Sequence, residues 1–144
     1  MVNISFENIY AGTSGLLLPV PNKLHYPEEF QGKSRLCYYA SLMNSIEINS
    51  SFYKIPQAST ISKWAADVPE DFRFTFKFFR EVSHNKGLTF EPSLVSRFFE
   101  VISNVGNKKG CVLVQLPPSI QLRHFSQLQF LMSGIRNCDQ KKDW

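Results

Sequence analysis

The chain has 144 residues, a length that fits one domain spanning 1–144. Apolar residues make up 43% of the sequence and charged residues 19%, a balance that supports a packed core and argues against disorder. The net charge is +4, and the basic residues are scattered apart from short runs at 107–109 and 141–142. Nucleic-acid-binding proteins usually concentrate basic residues on one face, so solvated surface charge is the more natural interpretation and a nucleic-acid partner is not expected.

The cysteines and the first residues bear on the cellular compartment. Cys37, Cys111 and Cys138 show no CxxC spacing, so free thiols are expected rather than disulfides. The first ten residues lack the layout of a signal peptide, and no apolar run approaches the ~20 residues that span a bilayer. We therefore expect a soluble, cytoplasmic protein with no membrane partner. No phosphate loop of the GxxxxGKS/T or GxGxxG type occurs, and the sequence identifies no cofactor.

Short apolar segments alternate with stretches of helical spacing along the chain. The predicted strands are 6–14, 45–52, 72–79 and 110–116. The predicted helices are 36–43, 61–68, 94–105 and 125–135. Ser59 or Thr60 would cap the second helix, and Pro92 lies near the start of the third. The order βαβαβαβα is typical of parallel strands joined by crossover helices.

The predicted strands separate polar from apolar side chains. In SIEINSSFY, Ile46 and Ile48 share one face, and Glu47 and Asn49 share the other. The segment FRFTFKFF alternates phenylalanine with arginine, threonine and lysine in the same way. Polar side chains near the carboxyl ends of strands are typical of the interior of a (β/α)₈ barrel, whose ligands bind at that mouth. An amphipathic edge strand of an α+β domain would also alternate, and this alternative stays open.

The chain is short for a complete barrel. Four βα units are half of a (β/α)₈ barrel, which typically needs ~250 residues. The predicted fold class is therefore α/β, with about four TIM-barrel-like units forming a half or truncated barrel. An open strand edge and an uncovered inner face are liabilities. Two copies would associate through the open edge, or the chain is a fragment, or other elements cover the edge.

Several segments match one family in order and spacing. They are AGTSG at 11–15, Tyr26-Pro27, SIEINSSFYKIP at 45–56, the helix around Trp64, FRFTFKFFREVSH at 72–84 and VLVQLPPS at 112–119. On these segments the chain resembles the domain of unknown function 72 family, also called YecE-like, over almost its whole length. The resemblance implies a TIM-type barrel of roughly twice this length, and it supplies a fold more than a function.

The chain departs from the family pattern at two places. Leucines at 16–18 and then Pro19 follow GTSG, where the resemblance predicts an aromatic residue, most often tryptophan. The chain ends at KKDW, where the resemblance predicts a fifth strand with a Glu-Phe-Arg motif. We expect the chain to be the N-terminal half of such a barrel and a fragment of a longer protein.

Three residues are the candidates for acid–base catalysis. Glu47 would be costly inside a barrel unless it is paired, and Lys77 is its natural partner because adjacent strands lie ~4.8 Å apart. The pair would be a structural ion pair or an acid and base with shifted pKa values. His84 follows the third strand and matches the family's Thr/Ser-His step, although a solvated loop histidine is the alternative. Glu47 and His84 are too few for a metal site, so none is predicted.

Five further residues are candidates for binding a substrate. Thr13 and Ser14 belong to GTSG, whose small residues form either a binding loop or a simple turn. Asn49 and Gln115 would offer amide groups to a polar ligand, or would hold the barrel together. Tyr53 would share the face of Glu47 and Asn49 and donate its hydroxyl.

Three hypotheses for function follow from these patterns. The first is an enzyme that acts on a small polar, sugar- or phosphate-like substrate at the carboxyl mouth of the barrel. The second is a module that binds a metabolite or a nucleic acid without turnover. The third is a non-functional fragment that only folds or associates. The sequence does not choose between them, because this fold hosts many chemistries.

Overall fold

The computed structural model describes residues 9–139 and 144. Its strands are β1 Gly12–Ser14, β2 Ser45–Ile48, β3 Arg73–Lys77 and β4 Lys109–Leu113. Its α-helices are α1 Arg35–Leu42, α2 Ser50–Tyr53, α3 Ala58–Ala66, α4 Arg80–Ser83, α5 Pro92–Ile102 and α6 Phe125–Cys138. Single turns of 3-10 helix cover Lys23–His25, Glu28–Phe30, Lys86–Leu88, Ser103–Val105 and Leu122–His124. Positions 6–8 of the first predicted strand lie outside the described residues.

The described strands form one parallel sheet in the order β1-β2-β3-β4. A doubly wound sheet reverses its strand order at a switch point, whereas every connection here steps in the same direction. Because such crossovers are right-handed, the helices that follow the strands cover the same face of the sheet. The opposite face is open, and Cys111 and Leu113, which project from it, are exposed. The predicted α/β class with parallel strands is confirmed.

The row of phenylalanines along β3 forms the centre of the hydrophobic core. Phe72, Phe74, Phe76 and Phe78 are each no more than 1% exposed. Phe78 packs edge-to-face on Phe98 of α5, with ring centroids 4.9 Å apart. Fully burying one such side chain contributes about 1.5–3 kcal/mol. The predicted apolar face of this strand is therefore the face that the helices cover.

The predicted helices are present, but the start of α3 differs from prediction. Gln57 occupies the N-cap position without a side-chain hydrogen bond, and Ser59 and Thr60 lie inside the helix. The backbone is still extended at Gln57 and turns helical at the next residue, so both hydroxyls come too late to cap. The predicted start of α5 is confirmed, because Pro92 is its first residue. Among residues 9–139 and 144, no helix combines the length and hydropathy needed to cross a membrane.

The second strand is shorter than predicted. It ends at Ile48, and Asn49 already has helical torsion angles, with φ −71° and ψ −27°. The buried hydroxyl of Ser51 lies 2.7 Å from the carbonyl oxygens of both Ile48 and Lys77. These contacts hold the turn that begins α2 across the ends of β2 and β3, so the prediction of a strand reaching residue 52 is wrong.

The glycine that opens GTSG is required by the packing of two strands. A Cβ atom on Gly12 would overlap the backbone carbonyl oxygen of Ser45 on β2. Gly15, at the other end of the motif, has φ +81°, a torsion angle that favours glycine. The motif is therefore a close strand approach followed by a turn.

One lysine of the basic run at 107–109 is buried rather than solvated. Lys108 is 7% exposed, and its ammonium donates to the carbonyl oxygens of Ala65 at 2.7 Å and Val68 at 2.8 Å. The same ammonium lies 3.3 Å from a carboxylate oxygen of Glu70. Lys108 thus fastens the end of α3 to the chain entering β4, and the prediction of solvated charge is wrong at this position.

Candidate active site at the carboxyl edge of the sheet

A chain of hydrogen bonds joins the ends of β1 and β2 on the open face of the sheet. Ser14 is the register partner of Glu47, and its hydroxyl donates to Oε1 of Glu47 at 3.0 Å. Asn49 donates from Nδ2 to Oγ of Ser14 at 2.5 Å. The hydroxyl thus accepts one hydrogen bond and donates the other. Three of the predicted site residues are brought together, with Glu47 oriented by the other two.

Thr13 faces the opposite side of the sheet from Ser14. Its register partner is Ile46, which is buried in the core. The hydroxyl of the buried Tyr39 accepts from the backbone N–H of Thr13 at 2.7 Å and donates to the carbonyl oxygen of Ser45 at 2.9 Å. Because side chains alternate along a strand, only one of two adjacent residues can project from the open face. Thr13 therefore belongs to the core side and not to the predicted binding surface.

Lys77 does not pair with Glu47. The register places Glu47 opposite Thr75, so Lys77 lies two residues further along its strand, a separation of ~7 Å. Its ammonium lies instead over the ring of Phe52, 5.0 Å from the centroid. No ion pair between Glu47 and Lys77 forms within the described part of the chain, and the prediction of that pair is wrong.

His84 follows α4 and contacts the same aromatic ring. Its imidazole packs edge-to-face on Phe52, with centroids 4.8 Å apart. The Nδ1 atom lies 2.9 Å from the hydroxyl of the buried Ser83, which also lies 3.2 Å from the carbonyl oxygen of Phe79. When the hydroxyl donates to Phe79, it accepts from Nδ1–H of His84, and Nε2 carries the lone pair. In that tautomer Nε2 can act as a base.

The surroundings of His84 favour the neutral imidazole. His84 is exposed, but the loss of part of its hydration against neighbouring residues lowers its pKa below the usual value of 6.5, and the positive charges of Lys77 and Arg80 lower the pKa further. A base that is unprotonated at neutral pH is the form that can take a proton from a substrate. The position predicted for an acid–base group thus has suitable electrostatics.

Tyr53 and Gln115 lie apart from the hydrogen-bonded residues. Tyr53 is on α2 rather than on a strand, is 67% exposed, and packs its ring against Phe52 at 5.0 Å. Its predicted place on the face of Glu47 and Asn49 is wrong, because the strand ends before it. Gln115 is exposed two residues beyond the end of β4, and no hydrogen bond of its side chain is seen among residues 9–139 and 144.

Phe52 and Arg80 are site residues that the sequence reasoning missed. A strand continuing to residue 52 places Phe52 on the apolar face, where core packing was the expectation. The sequence does contain a signal, because Asn49-Ser50-Ser51 are residue types that favour turns. Taken as a turn, they end the strand early and bring the Phe52 ring to the edge where Lys77 and His84 lie.

The larger grooves of the described residues lie elsewhere. A groove of about 570 Å³ between α1 and α3 has Arg35 and Lys63 in its walls. A smaller one of about 260 Å³ includes Glu47 and Asn49 in its lining but is mainly apolar, with Trp64 in its wall. The polar edge that carries Glu47 and His84 is an open surface. No three histidine, cysteine or carboxylate side chains within 9–139 and 144 are grouped to hold a metal ion.

The chain matches a protein-family model, and two curated proteins share its sequence pattern. The model is that of the protein of unknown function DUF72, and the match covers residues 10–138. The chain is 29% identical over 104 residues to UPF0759 protein YecE of Escherichia coli K12, which covers 72% of the chain and 38% of that protein. It is 31% identical over 99 residues to UPF0759 protein YunF of Bacillus subtilis 168. That match covers 65% of the chain and 35% of YunF. The chain thus spans less than two-fifths of the length of these relatives.

Solved structures share the fold over most of the chain. Two crystal structures of the DUF72 family protein EF0366 from Enterococcus faecalis V583 superpose with TM-scores of 0.61 and 0.60. Sequence identity is 26% and 25%, and the superposed part covers 70% and 69% of this chain. It covers 40% and 43% of those chains, in keeping with the coverage of the curated relatives.

Proposed function

This chain belongs to the DUF72 family of proteins of unknown function, and from that premise we propose that it is an enzyme acting on a small polar, sugar- or phosphate-like substrate. The substrate binds at the carboxyl edge of the sheet. The observation that carries the proposal is His84, whose imidazole packs on the same Phe52 ring as the Lys77 ammonium and whose pKa is lowered. Titratable groups with shifted pKa values gather at functional sites more often than elsewhere.

The proposed mechanism is general acid–base catalysis. Nε2 of His84 takes a proton from the substrate, and the Lys77 ammonium stabilises the negative charge that develops. Glu47 is the second acid–base group, and Ser14 and Asn49 position its carboxylate through their hydrogen bonds. The two groups differ in their surroundings, as an acid and a base in one site must.

The proposed setting for this chemistry is a barrel interior. A strand order without reversal and helices on one face are the arrangement of (β/α)₈ barrels, in which ligands bind at the carboxyl ends of the strands. The relatives are more than twice as long as the segment matched here, which leaves room for further βα units. Those units, or a second copy of the chain, cover the open face.

The catalytic proposal is tested by following metabolite consumption. The purified chain is incubated with a small-molecule extract, and the mixture is compared by mass spectrometry before and after. A metabolite consumed by the wild type should be consumed about 100-fold or more slowly by Glu47→Gln and by His84→Gln. Glu28→Gln is the matched control, because Glu28 is an exposed carboxylate on a distant 3-10 turn and should leave the rate unchanged. Consumption that is equal in all four proteins would refute the proposal.

A second proposal concerns self-association through the open face. Leu113 is 38% exposed there, and Cys111 is exposed beside it, so a second copy of the chain would bury an apolar strand face. Light scattering after size exclusion should then give the mass of a dimer. The Leu113→Glu variant should give the mass of a monomer, whereas Leu122→Glu, an exposed leucine outside the sheet, should remain a dimer. A monomeric wild type would contradict this proposal and leave the catalytic one untouched.

A further inference from the structure

Three groups that carry or can take positive charge gather where β3 ends. Lys77 is the last residue of β3, Arg80 is the first residue of α4, and His84 follows that helix. The ring of Phe52 contacts both the Lys77 ammonium and the imidazole of His84. The backbone N–H of His84 donates to the carbonyl oxygen of Arg80, one helical turn earlier, at 2.8 Å. The three residues therefore share one small region of the surface, where the charges of Lys77 and Arg80 lower the pKa of His84.

No acid forms an ion pair with Lys77 or Arg80 in the part of the chain that the structure describes. Glu81 lies on the same helical turn, is exposed, and forms no ion pair with Lys77 or Arg80 within the described residues. Glu47 is engaged by Ser14 instead. Tyr53, whose ring packs on Phe52, carries a phenol hydroxyl and not a carboxylate. A region with this composition attracts an anion.

The side chains are also held in place before any ligand binds. The Phe52 ring lies 5.0 Å from the Lys77 ammonium and 4.8 Å from the imidazole of His84, so one rigid aromatic group orients both. Ser83, fully buried, fixes the other side of the imidazole through Nδ1. When His84 is protonated, Nε2–H becomes a donor that points away from Ser83. Ordering of donors in advance lowers the entropic cost of binding.

We infer that Lys77 and Arg80, beside His84, bind the phosphoryl group of a small phosphorylated substrate. A phosphate monoester offers three acceptor oxygens and close to two negative charges, which the ammonium and the guanidinium can satisfy. Arg80 contributes a planar guanidinium, suited to contacting two oxygens at once. The inference rests on the proposed function, because it names the substrate class of the same site.

The inference requires that anion binding and protonation of His84 favour each other. A dianion beside the imidazole stabilises its charged form, so binding raises the pKa of His84 back toward or above its usual value. Reciprocally, the phosphate dianion binds more tightly to the protein with protonated His84 than to the protein with neutral His84. A site distant from His84 would not show this coupling.

The test is an NMR titration of the histidine Cε1–H signals of the full chain against pH. It is run in potassium phosphate, in glycerol phosphate and in potassium chloride at matched ionic strength, since salt alone screens Lys77 and Arg80. The signal of His84 should titrate at higher pH in both phosphate solutions than in chloride. His25, an exposed histidine distant in the chain, should titrate alike in all three.

Variants of Arg80 and Lys77 test whether these two residues bind the phosphate that raises the pKa of His84. Arg80→Gln and Lys77→Gln should each weaken phosphate binding about tenfold and reduce the phosphate-induced rise in the pKa of His84. Lys33→Gln is the matched control, because the Lys33 ammonium also lies 5.0 Å over a phenylalanine ring, that of Phe30, yet far along the chain from His84. Arg80 is exposed, so its variant tests the site even where Lys77→Gln disturbs the strand end.

Phosphate binding and catalysis are tested by different measurements. An identical titration of His84 in phosphate and chloride would overturn the inference, as would an Arg80→Gln variant that behaves like Lys33→Gln. Binding of a single-stranded oligonucleotide that displaces phosphate at far lower concentration would also overturn it, in favour of a polymer ligand. These results concern binding alone, whereas the catalytic proposal fails only through the consumption measurements on Glu47→Gln and His84→Gln.

Discussion

Two lysines at opposite edges of the same sheet illustrate two uses of a positive charge. Lys108, at the entry to β4, is 7% exposed, and two carbonyl oxygens and a carboxylate surround its ammonium. Lys77, at the exit of β3, is half-buried and has the ring of Phe52 against its ammonium. The hydrogen-bonding capacity of Lys108 is used within the fold, whereas that of Lys77 is left for another molecule. The ammonium at the amino-terminal edge therefore stabilises the fold, and the ammonium at the carboxyl edge is the one that the proposed function uses.

The largest expected loss of stability follows from replacing Lys108. Lys108→Met removes the ammonium and leaves the carbonyl oxygens of Ala65 and Val68 without their donor in a buried place. We expect the free energy of unfolding, measured by urea denaturation, to fall by about 3 kcal/mol. Lys77→Met is the matched variant and should cost less than about 1 kcal/mol, since it loses one partly exposed cation–π contact. Equal losses in the two variants would remove the distinction between the edges.

An intermediate loss of stability is expected at Ser51, which holds the ends of β2 and β3 together at the carboxyl edge. Ser51 is fully buried, and its hydroxyl contacts the carbonyl oxygens at the ends of β2 and β3. Ser51→Ala should lower the free energy of unfolding by about 1–2 kcal/mol, because these contacts are lost in a buried place. The neighbouring Ser50 is exposed, and Ser50→Ala should change stability by less than about 0.5 kcal/mol. Similar losses of stability in Ser51→Ala and Ser50→Ala would mean that the turn forms without the hydroxyl of Ser51.

The smallest expected effect is a pH dependence of stability, and it comes from His84 at the carboxyl edge. The folded protein holds the pKa of His84 below 6.5, the usual value, which the unfolded chain is taken to have. The unfolded chain therefore binds the proton more readily, and the contribution to stability is present above pH 6.5 and lost as the pH falls through the folded pKa. His84→Gln should lose less stability than the wild type on acidification across this window. His25→Gln should follow the wild type, and a coincidence of all three pH curves would contradict the prediction.

The alternation of residues predicted the core more completely than the site. The phenylalanines at 72, 74, 76 and 78 could be assigned to one buried face, because a period of two is a property of the strand itself. The side chains of Glu47 and Asn49 were placed on one face for the same reason, and the structure joins them through Ser14. Within a regular strand, the period of two was enough to assign each side chain to a face of the sheet.

The errors lie where the backbone leaves the strand or where a partner is distant in the chain. Tyr53 was assigned to the wrong element because the turn at 49–51 was taken as strand. The burial of Lys108 depends on carbonyl oxygens about forty residues earlier in the chain, which no local pattern reveals. Thr13 was grouped with Ser14 by motif, although adjacent residues of β1 must face opposite sides.

The sequential order of the strands has a consequence for how the molecule folds. Every strand pairs with the strand that precedes or follows it along the chain, so no pairing in the described sheet has to wait for a distant segment. Parallel pairing is slow in itself, but this order limits the loop that each pairing closes to about 30 residues, as between Gly12 and Ser45. The sheet can therefore grow in the order of synthesis, with β1 and β2 forming a template before β3 and β4 leave the ribosome.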